Sequence, residues 1–290
     1  MKPRRQRSDE AVAEILLNQL AIIRANVDGA VAGEDPEPLH DLRVAVRRTR
    51  SLLKGMPGVF APGEHARFKT AFKELQGITG PVRDLDVLLE DLESFSEERP
   101  ELTRETEALR AELVRKRRAA RTSLSRRLKS RRFADLLDDW QAMLESLAAA
   151  DETDRPDAAR PIGKLAAARI AADRKRFEEL SREALGEADP AVVHHTRKRG
   201  KALRYNLEFF GDLGDKKRAR RLGRRLEKIQ DELGEYQDTV VHEAALRGAA
   251  ESAGSAAAAI AAGALIERAL EERDHRLEQF GRRVAKFEAG

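Results

Sequence analysis

The sequence predicts an all-α protein made of two related helical bundles. Ala, Leu, Glu and Arg dominate its 290 residues and favour helices, whereas only 4% of the residues are aromatic. No segment alternates between polar and apolar residues as a half-buried strand does. Gly and Pro cluster at intervals that separate segments of helix length, which indicates a bundle rather than one long coiled coil. An internal repeat predicts that the bundle is doubled.

The predicted helices lie between clusters of Gly, Pro and Asp. In chain order these breaks are residues 33–38, 55–63, 77–81, 100, 154–163, 186–190 and 211–214. Asp84 follows the third break and Asp238 follows the corresponding Gly234. We expect both carboxylates to cap the helices that begin there, or to orient nearby arginines, rather than to act in catalysis.

The repeat relates two halves of the chain at an offset of 154 residues, without gaps over its core. The matching pairs include His40 and His194, Arg43 and Arg197, Arg47 and Lys201, Arg50 and Arg204, Gln76 and Gln230, Gly80 and Gly234, and Asp84 and Asp238. The halves are residues 8–147 and 161–288, joined by the Asp- and Pro-rich residues 151–161. We expect a pseudo-two-fold axis to relate them.

Each half carries a row of cations along one predicted helix. On a helical wheel the first row lies within about 80° and borders an apolar edge; it consists of His40, Arg43, Arg47, Arg50 and Lys54. The second row consists of His194, Arg197, Lys201 and Arg204, and ends early because Glu208 replaces the counterpart of Lys54. Acidic residues that could form local salt bridges are nearly absent from both segments, so an anion lying along the rows would relieve the repulsion.

The rows suit a linear phosphate polymer. The first row is about 21 Å long, which exceeds the size of a single phosphate, and the planar guanidinium of Arg binds phosphate oxygens bidentately. Single-stranded nucleic acid needs aromatic stacking platforms, yet only Tyr205 borders a row. We therefore expect a phosphate chain without bases, with nonspecific nucleic-acid binding as the alternative. If the histidines take part, binding should tighten as the pH falls from 8 to 6.

Two further basic runs leave their role open. Residues 113–132 contain ten Lys or Arg and no acid, and residues 216–228 contain eight Lys or Arg against Glu227 alone. Each run can be a solvated face, a partner for acidic helices, or a ligand contact.

The sequence favours binding over catalysis. The absence of Cys excludes disulfides, Cys-ligated metals and thiol catalysis. There is no phosphate-binding loop motif, His-Glu-x-x-His motif or nucleophile elbow. His40-Asp41 is a lone dipeptide, and the adjacent His194 and His195 point about 100° apart on a helix. We therefore predict no catalytic residue, no metal and no cofactor.

Four segments resemble the motifs of the CHAD family, the conserved histidine α-helical domain. They are residues 39–50, 80–87, 193–205 and 233–238. The resemblance implies two pseudo-symmetric helical bundles whose basic helices line a central groove or pore, within one domain over residues 1–290. It implies binding of inorganic polyphosphate without hydrolysis. No Glu-x-Glu-x-Lys motif is present, so we expect a free-standing protein without a CYTH-type domain.

Matching the motifs residue by residue gives a set of candidate polyphosphate ligands. Together with Lys54 from the row and Arg48 beside it, the set is His40, Arg43, Arg47, Arg48, Arg50, Lys54, His194, Arg197, Lys198, Lys201, Arg204 and Tyr205. Two positions depart from the pattern: Asp41 lies beside the first His, and Val240 replaces the counterpart of Asp86. The second departure indicates that Asp86 is not a symmetric ligand residue.

The sequence also predicts location and partners. The longest uncharged run, residues 252–266, is too short for a membrane span, and the basic N-terminus has no signal-peptide core. We expect a cytoplasmic protein that does not bind membranes. The family resemblance implies association with polyphosphate granules, and we expect proteins of polyphosphate metabolism as further partners.

Overall fold

The structure, a computed structural model, describes residues 4–288 and confirms the all-α prediction. Within that range there is no β-strand, only an isolated bridge between Arg7 and Pro161. Nine α-helices follow one another there: α1 (Ser8–Ala32), α2 (Glu37–Gly55), α3 (Pro62–Glu98), α4 (Thr103–Leu128), α5 (Arg131–Ser146), α6 (Ile162–Glu187), α7 (Pro190–Phe210), α8 (Lys216–Ala253) and α9 (Ala256–Glu288).

Most helices end where the breaks were predicted. For example, α1 ends before Gly33, whose φ of 62° is in the left-handed region and whose N–H donates to Gly29 O at 2.8 Å. Two breaks were missed. Ser130 separates α4 from α5 and caps α5 by accepting from the Phe133 N–H at 3.3 Å, and Gly254, with a φ of 58°, separates α8 from α9.

The predicted break at residues 77–81 is wrong, because α3 continues through it with Pro81 inside. A helical proline lacks the N–H that would bond four residues back, and its ring crowds that carbonyl. Four residues before Pro81, Gly77 is exposed, and a Cβ added to it would meet no neighbouring atom within 4 Å. Asp84 and Asp238 therefore lie inside α3 and α8, and the prediction that they cap helices is wrong.

The order of helices repeats along the chain. The helix α6 begins 154 residues after α1, and α8 begins 154 residues after α3. The starts of α7 and α9 follow those of α2 and α4 within one residue of the same offset. The helix α5 has no counterpart, so the two halves share four helices each.

The helices form two compact units, each with segments from both halves of the chain. Unit 1 contains the residues up to Thr79, Leu124–Phe177 and Arg199–Arg224. Unit 2 contains Gly80–Ser123, Glu178–Lys198 and the residues from Arg225 onward. These boundaries differ from those of the sequence halves, because the long helices α3, α4, α6, α7 and α8 contribute to both units.

Each unit has its own hydrophobic core. In unit 1 the fully buried Trp140 of α5 lies 4.6 Å from the Phe68 ring and 5.1 Å from the Phe72 ring, measured between centroids. In unit 2 leucines such as Leu92 and Leu113 pack with alanines of α9, including Ala258 and Ala262. Small side chains let the helices approach closely.

The helix α1 is long and apolar, and 33% of its most apolar 18-residue stretch is buried. By length and composition it is the one described helix that could also cross a membrane. Core helices of globular proteins pass the same test, and α1 packs against α2 with Val12, Leu16 and Ile23 fully buried.

Candidate anion-binding site

The candidate ligand residues lie on two helices. The helix α2 carries His40, Arg43, Arg47, Arg48, Arg50 and Lys54, and α7 carries His194, Arg197, Lys198, Lys201, Arg204 and Tyr205. Unit 1 contains the whole α2 set together with Lys201, Arg204 and Tyr205 of α7. His194, Arg197 and Lys198 belong to unit 2.

The apolar edge of α2 fixes where its cations point. Leu42, Val46 and Leu53 are fully buried, as the helical periodicity predicts. The neighbouring edge carries Arg43, Arg47 and Arg50, all partly buried. The aliphatic stems of these arginines therefore pack against protein, while their guanidinium groups lie along the border of the buried edge.

Two arginines of α2 are held by neutral groups of α3. Arg50 donates from Nη1 to the Oε1 of Gln76, and Arg43 donates from Nη1 to the Thr79 hydroxyl at 3.2 Å. Burial lowers the pKa of Arg50. Gln76 is neutral, so it orients the Arg50 guanidinium without cancelling its charge. Gln76 is not among the site residues predicted from the sequence, although its match to Gln230 in the repeat was a signal.

Arg48 and Arg204 come together around one tyrosine and one carboxylate, although they belong to different halves of the chain. Their Cζ atoms lie 5.8 Å and 5.5 Å from the Tyr205 ring centroid. Arg48 Nη2 binds Glu208 Oε2 at 2.7 Å, and Arg204 Nε lies 3.5 Å from Glu208 Oε1. Glu208 is the residue that shortens the second row, and here its carboxylate lies where an external anion could bind the same two cations.

Several donors in this cluster lack an acceptor. The Nε atoms of Arg47, Arg48 and Arg204 and the Tyr205 hydroxyl are buried and have no hydrogen-bond partner among residues 4–288. Arg47 forms no ion pair within that range either. A buried donor without an acceptor is costly to the folded protein, although Arg204 Nε retains its 3.5 Å contact with Glu208 Oε1.

In unit 2 a histidine and two cations occupy the first turns of α7. His194 Nδ1 donates to Gln237 Oε1 of α8, and Arg197 Nη2 lies 3.9 Å from Asp238 Oδ1. Lys198 is exposed and makes no ion pair among the described residues. Asp238 thus orients an arginine from within its helix, which was the alternative to capping.

The environment of His194 lowers its pKa below the ordinary value of 6.5. Burial is the largest cause, and the charges of Lys198 and Arg197 act in the same direction, while the hydrogen bond with Gln237 opposes them. The free protein therefore holds His194 neutral at pH 7. Its contribution to stability decreases as the pH falls through 6.5 toward the lowered pKa, because the folded state binds fewer protons than the unfolded state.

A polyanion bound beside His194 should raise the pKa of this histidine again. Because the pKa of His194 in the free protein is lowered, the increase in affinity should begin at a lower pH than the sequence alone predicted. We expect affinity to stay nearly constant from pH 8 to 7 and to rise below 6.5, by at most about tenfold per pH unit for one proton taken up. Titration calorimetry at four pH values measures this. The variant His194→Gln should lose that part of the rise, and equal pH profiles for variant and wild type would contradict it.

The basic run at 113–132 is largely neutralised within the protein. Arg115 binds Glu112 at 2.7 Å, Arg117 pairs with the buried Asp86, and Lys116 donates to Gly248 O at 2.6 Å. Arg127 and Arg132 lie near Glu74, and Arg131 lies 3.8 Å from Asp135. Among the three roles left open by the sequence, pairing with acidic residues accounts for most of this run. Asp86, which has no counterpart in the repeat, is buried and pairs with Arg117.

Within the part of the chain that the structure describes, no group of three or more His, Asp or Glu side chains is placed to hold a metal ion. His194 faces Gln237 on one side and cations on the other, and His242 pairs with Asp91 alone at 2.9 Å. Both parts of the candidate set, in unit 1 and in unit 2, consist mainly of Lys and Arg side chains.

Comparison with known proteins identifies the family. The CHAD domain model matches residues 14–247. A crystal structure of the CHAD domain from the plant Ricinus communis superposes with a TM-score of 0.78 at 27% identity, covering 98% of this chain and 93% of that one. PptA from Streptomyces chartreusis superposes with a TM-score of 0.71, covering 98% of this chain and all of that one, but at 18% identity this shows the fold alone.

Two uncharacterized proteins from two strains of Mycobacterium tuberculosis are 28% identical over 229 residues, which cover 74% of this chain. The match covers 40% of their length, so the chain spans less than half of the curated relatives it matches. The family match covers most of the chain and the fold match nearly all of it. The chain belongs to the CHAD domain family, which is linked to the binding of polyphosphate.

Proposed function

We propose that this protein binds inorganic polyphosphate without hydrolysing it, through the cations of α2 and α7. The observation that carries the proposal is the meeting of Arg48 and Arg204 over Tyr205, with a single carboxylate between them. Arg48, which lies beside the first row, and Arg204 of the second row thus meet in unit 1, and the chain belongs to a family linked to this ligand.

The chemistry of the surface favours phosphate over other anions. The guanidinium groups offer planar pairs of N–H donors, which match two oxygens of one phosphate. Arg47 has no internal counter-ion among the described residues, and Arg50 is oriented by the neutral Gln76. The partly buried stems reduce the side-chain entropy that ligand binding would cost.

A flexible phosphate chain fits this surface better than a nucleic acid does. Apart from the exposed Lys54, the candidate cations of unit 1 are partly buried, so a rigid duplex would reach few of them. Tyr205 is only 3% exposed and its ring is covered by two arginines, so it offers no stacking platform for a base. Nucleic-acid binding by the rows is the alternative, and the test must distinguish it from polyphosphate binding.

The proposed role is that of a binding module. A cytoplasmic protein of this kind, not bound to membranes, would attach to polyphosphate granules or organise them, together with proteins that make or degrade the polymer. The proposal includes no catalytic residue, metal or cofactor.

The test is calorimetric titration with long-chain polyphosphate, with orthophosphate and duplex DNA as competitors. We expect binding that weakens by about tenfold or more between about 50 mM and about 200 mM salt, because phosphate contacts release counterions. Orthophosphate should not compete, and polyphosphate of matched charge should displace DNA more readily than the reverse. Chain length after incubation with Mg²⁺ should be unchanged.

Three results would contradict the proposal. Absence of binding at low salt excludes polyphosphate as the ligand. More effective displacement by DNA favours the nucleic-acid alternative. Shortened chains would show that the protein is an enzyme.

A further inference from the structure

The start of α8 carries an exposed basic face that the polyphosphate proposal does not use. It consists of Lys217, Arg220, Arg221 and Arg224, which we call the α8 basic face; all four are exposed and belong to unit 1. At 100° per residue they lie within an arc of about 100°, and they extend over about 10 Å of the helix.

The α8 basic face keeps its charge. None of its four side chains forms an ion pair or hydrogen bond among residues 4–288. Asp212 binds Lys216 Nζ at 2.8 Å and also interacts electrostatically with Arg220, without an ion pair, and Asp215 accepts from the Arg218 backbone N–H at 3.0 Å. The run at 113–132 is different, because most of its cations are paired. Packing pairs most cations of the run at 113–132 and leaves the four cations of the α8 basic face without ion pairs in the described range.

This face is not part of the repeated design. The positions 154 residues earlier, on α3, are Gly63, Ala66, Arg67 and Thr70, and Arg67 pairs with Asp139 there. Like charges three and four residues apart destabilise a helix by a few tenths of a kcal/mol per pair. This repulsion destabilises α8 but has no equivalent at the corresponding positions of α3. A polyanion bound to α8 would relieve it.

The residues around the α8 basic face indicate which class of polyanion it could bind. Membrane binding by a helix requires exposed apolar side chains that insert into the lipid. None of the exposed large hydrophobic residues of the described chain lies in 216–224; they are Leu185, Val241, Ile260 and Leu270. There is no aromatic side chain in 216–224 for stacking on single-stranded bases. A single exposed helix is convex, and the major groove of a duplex admits an α-helix.

We propose that the α8 basic face binds the phosphate backbone of duplex nucleic acid without sequence preference. Arg and Lys supply the contacts, and the face has no Asn or Gln that could read base edges. This site is separate from the α2 and α7 cations and does not depend on the polyphosphate proposal. A flexible phosphate chain would gain less here, because no second helix is shown to add cations on another side.

The test compares a face variant, Lys217→Ala with Arg220→Ala, Arg221→Ala and Arg224→Ala, with a control variant of equal charge. The control is Lys69→Ala with Lys73→Ala, Arg126→Ala and Lys129→Ala; these four side chains are also exposed and make no ion pair in the described range. Binding to a fluorescent duplex of random sequence is measured by anisotropy over a series of salt concentrations.

We expect the face variant to lower the slope of log affinity against log salt by about three to four, since each lost phosphate contact removes about 0.9. The control should bind the duplex like the wild type. The face variant should keep its affinity for polyphosphate, which separates failure of this inference from failure of the polyphosphate proposal.

Three outcomes overturn the inference. If the wild-type protein does not bind the duplex at low salt, the inference is wrong. Equal losses in the face and control variants would show a general effect of net charge. A face variant that loses polyphosphate instead of duplex would make the face a second polyphosphate subsite. Circular dichroism of both variants shows whether α8 remains helical.

Discussion

A variant with Arg43, Arg47, Lys201 and Arg204 all changed to Ala should lose polyphosphate affinity by about a hundredfold or more. A hydrogen bond to a charged group contributes about 1.5–3 kcal/mol. A hundredfold loss of affinity is therefore expected even if only some of the four side chains contact polyphosphate. The salt dependence should become shallower as well, since fewer counterions are released. Titration calorimetry against long-chain polyphosphate measures both quantities.

Two controls make this loss specific to the rows. The Lys69, Lys73, Arg126 and Lys129 control variant removes the same charge from other exposed positions and should bind nearly as wild type does. Glu208→Gln removes the carboxylate that occupies Arg48 and Arg204, so it should bind polyphosphate more tightly than the wild type. If the row variant and the control variant bind alike, the rows are solvated faces and the proposed site is wrong.

Changing Asp173 to Ala should destabilise the protein by about 3 kcal/mol. The Asp173 side chain is 1% exposed and accepts from Arg169 Nε at 2.9 Å, Arg199 Nη1 at 2.9 Å and Asn206 Nδ2 at 2.8 Å. Removing it leaves a buried amide without its acceptor and two partly exposed arginines without their counter-ion. Urea unfolding followed by circular dichroism should show a lower midpoint with an unchanged slope.

The variant Asp173→Asn tests the cause of that loss. Its side-chain oxygen can still accept from Asn206, but it has no charge for the arginines, so the loss should be smaller than for Ala. Equal losses would show that the ion pairs dominate, and no loss in either variant would contradict the assigned role. Because Asp173 joins α6 to α7 in unit 1, the Ala variant should also weaken polyphosphate binding by displacing Lys201 and Arg204.

The two basic runs show how packing decides between similar sequences. Both are dense in Lys and Arg, and both could have been a ligand surface by composition. Asp86, Glu112 and Glu74 lie against the first run, so its charge is largely used inside the protein. No acid lies within ion-pair distance of the α8 basic face in the described residues, so its charge is available to a partner.

By itself the sequence determined the features that depend on local periodicity. The helical class, most helix ends, the buried edge of α2 and the position of the cations beside it all follow from spacing at 3.6 residues per turn. The repeat of His, Arg and Gln at one offset also identified the segments that resemble CHAD motifs. Local turn signals were less reliable where a helix was supported by packing, which is why Pro81 does not interrupt α3.

Only the tertiary structure decided which charged groups meet. Arg48 and Glu208 are 160 residues apart in sequence, and their ion pair exists because α2 packs near α7 in unit 1. The same holds for Gln76 on Arg50, for Gln237 on His194 and for the acids that neutralise residues 113–132. Coulombic and hydrogen-bond energies depend on distance and burial in space, so a charge pattern along the chain cannot show which cations keep their charge for a ligand.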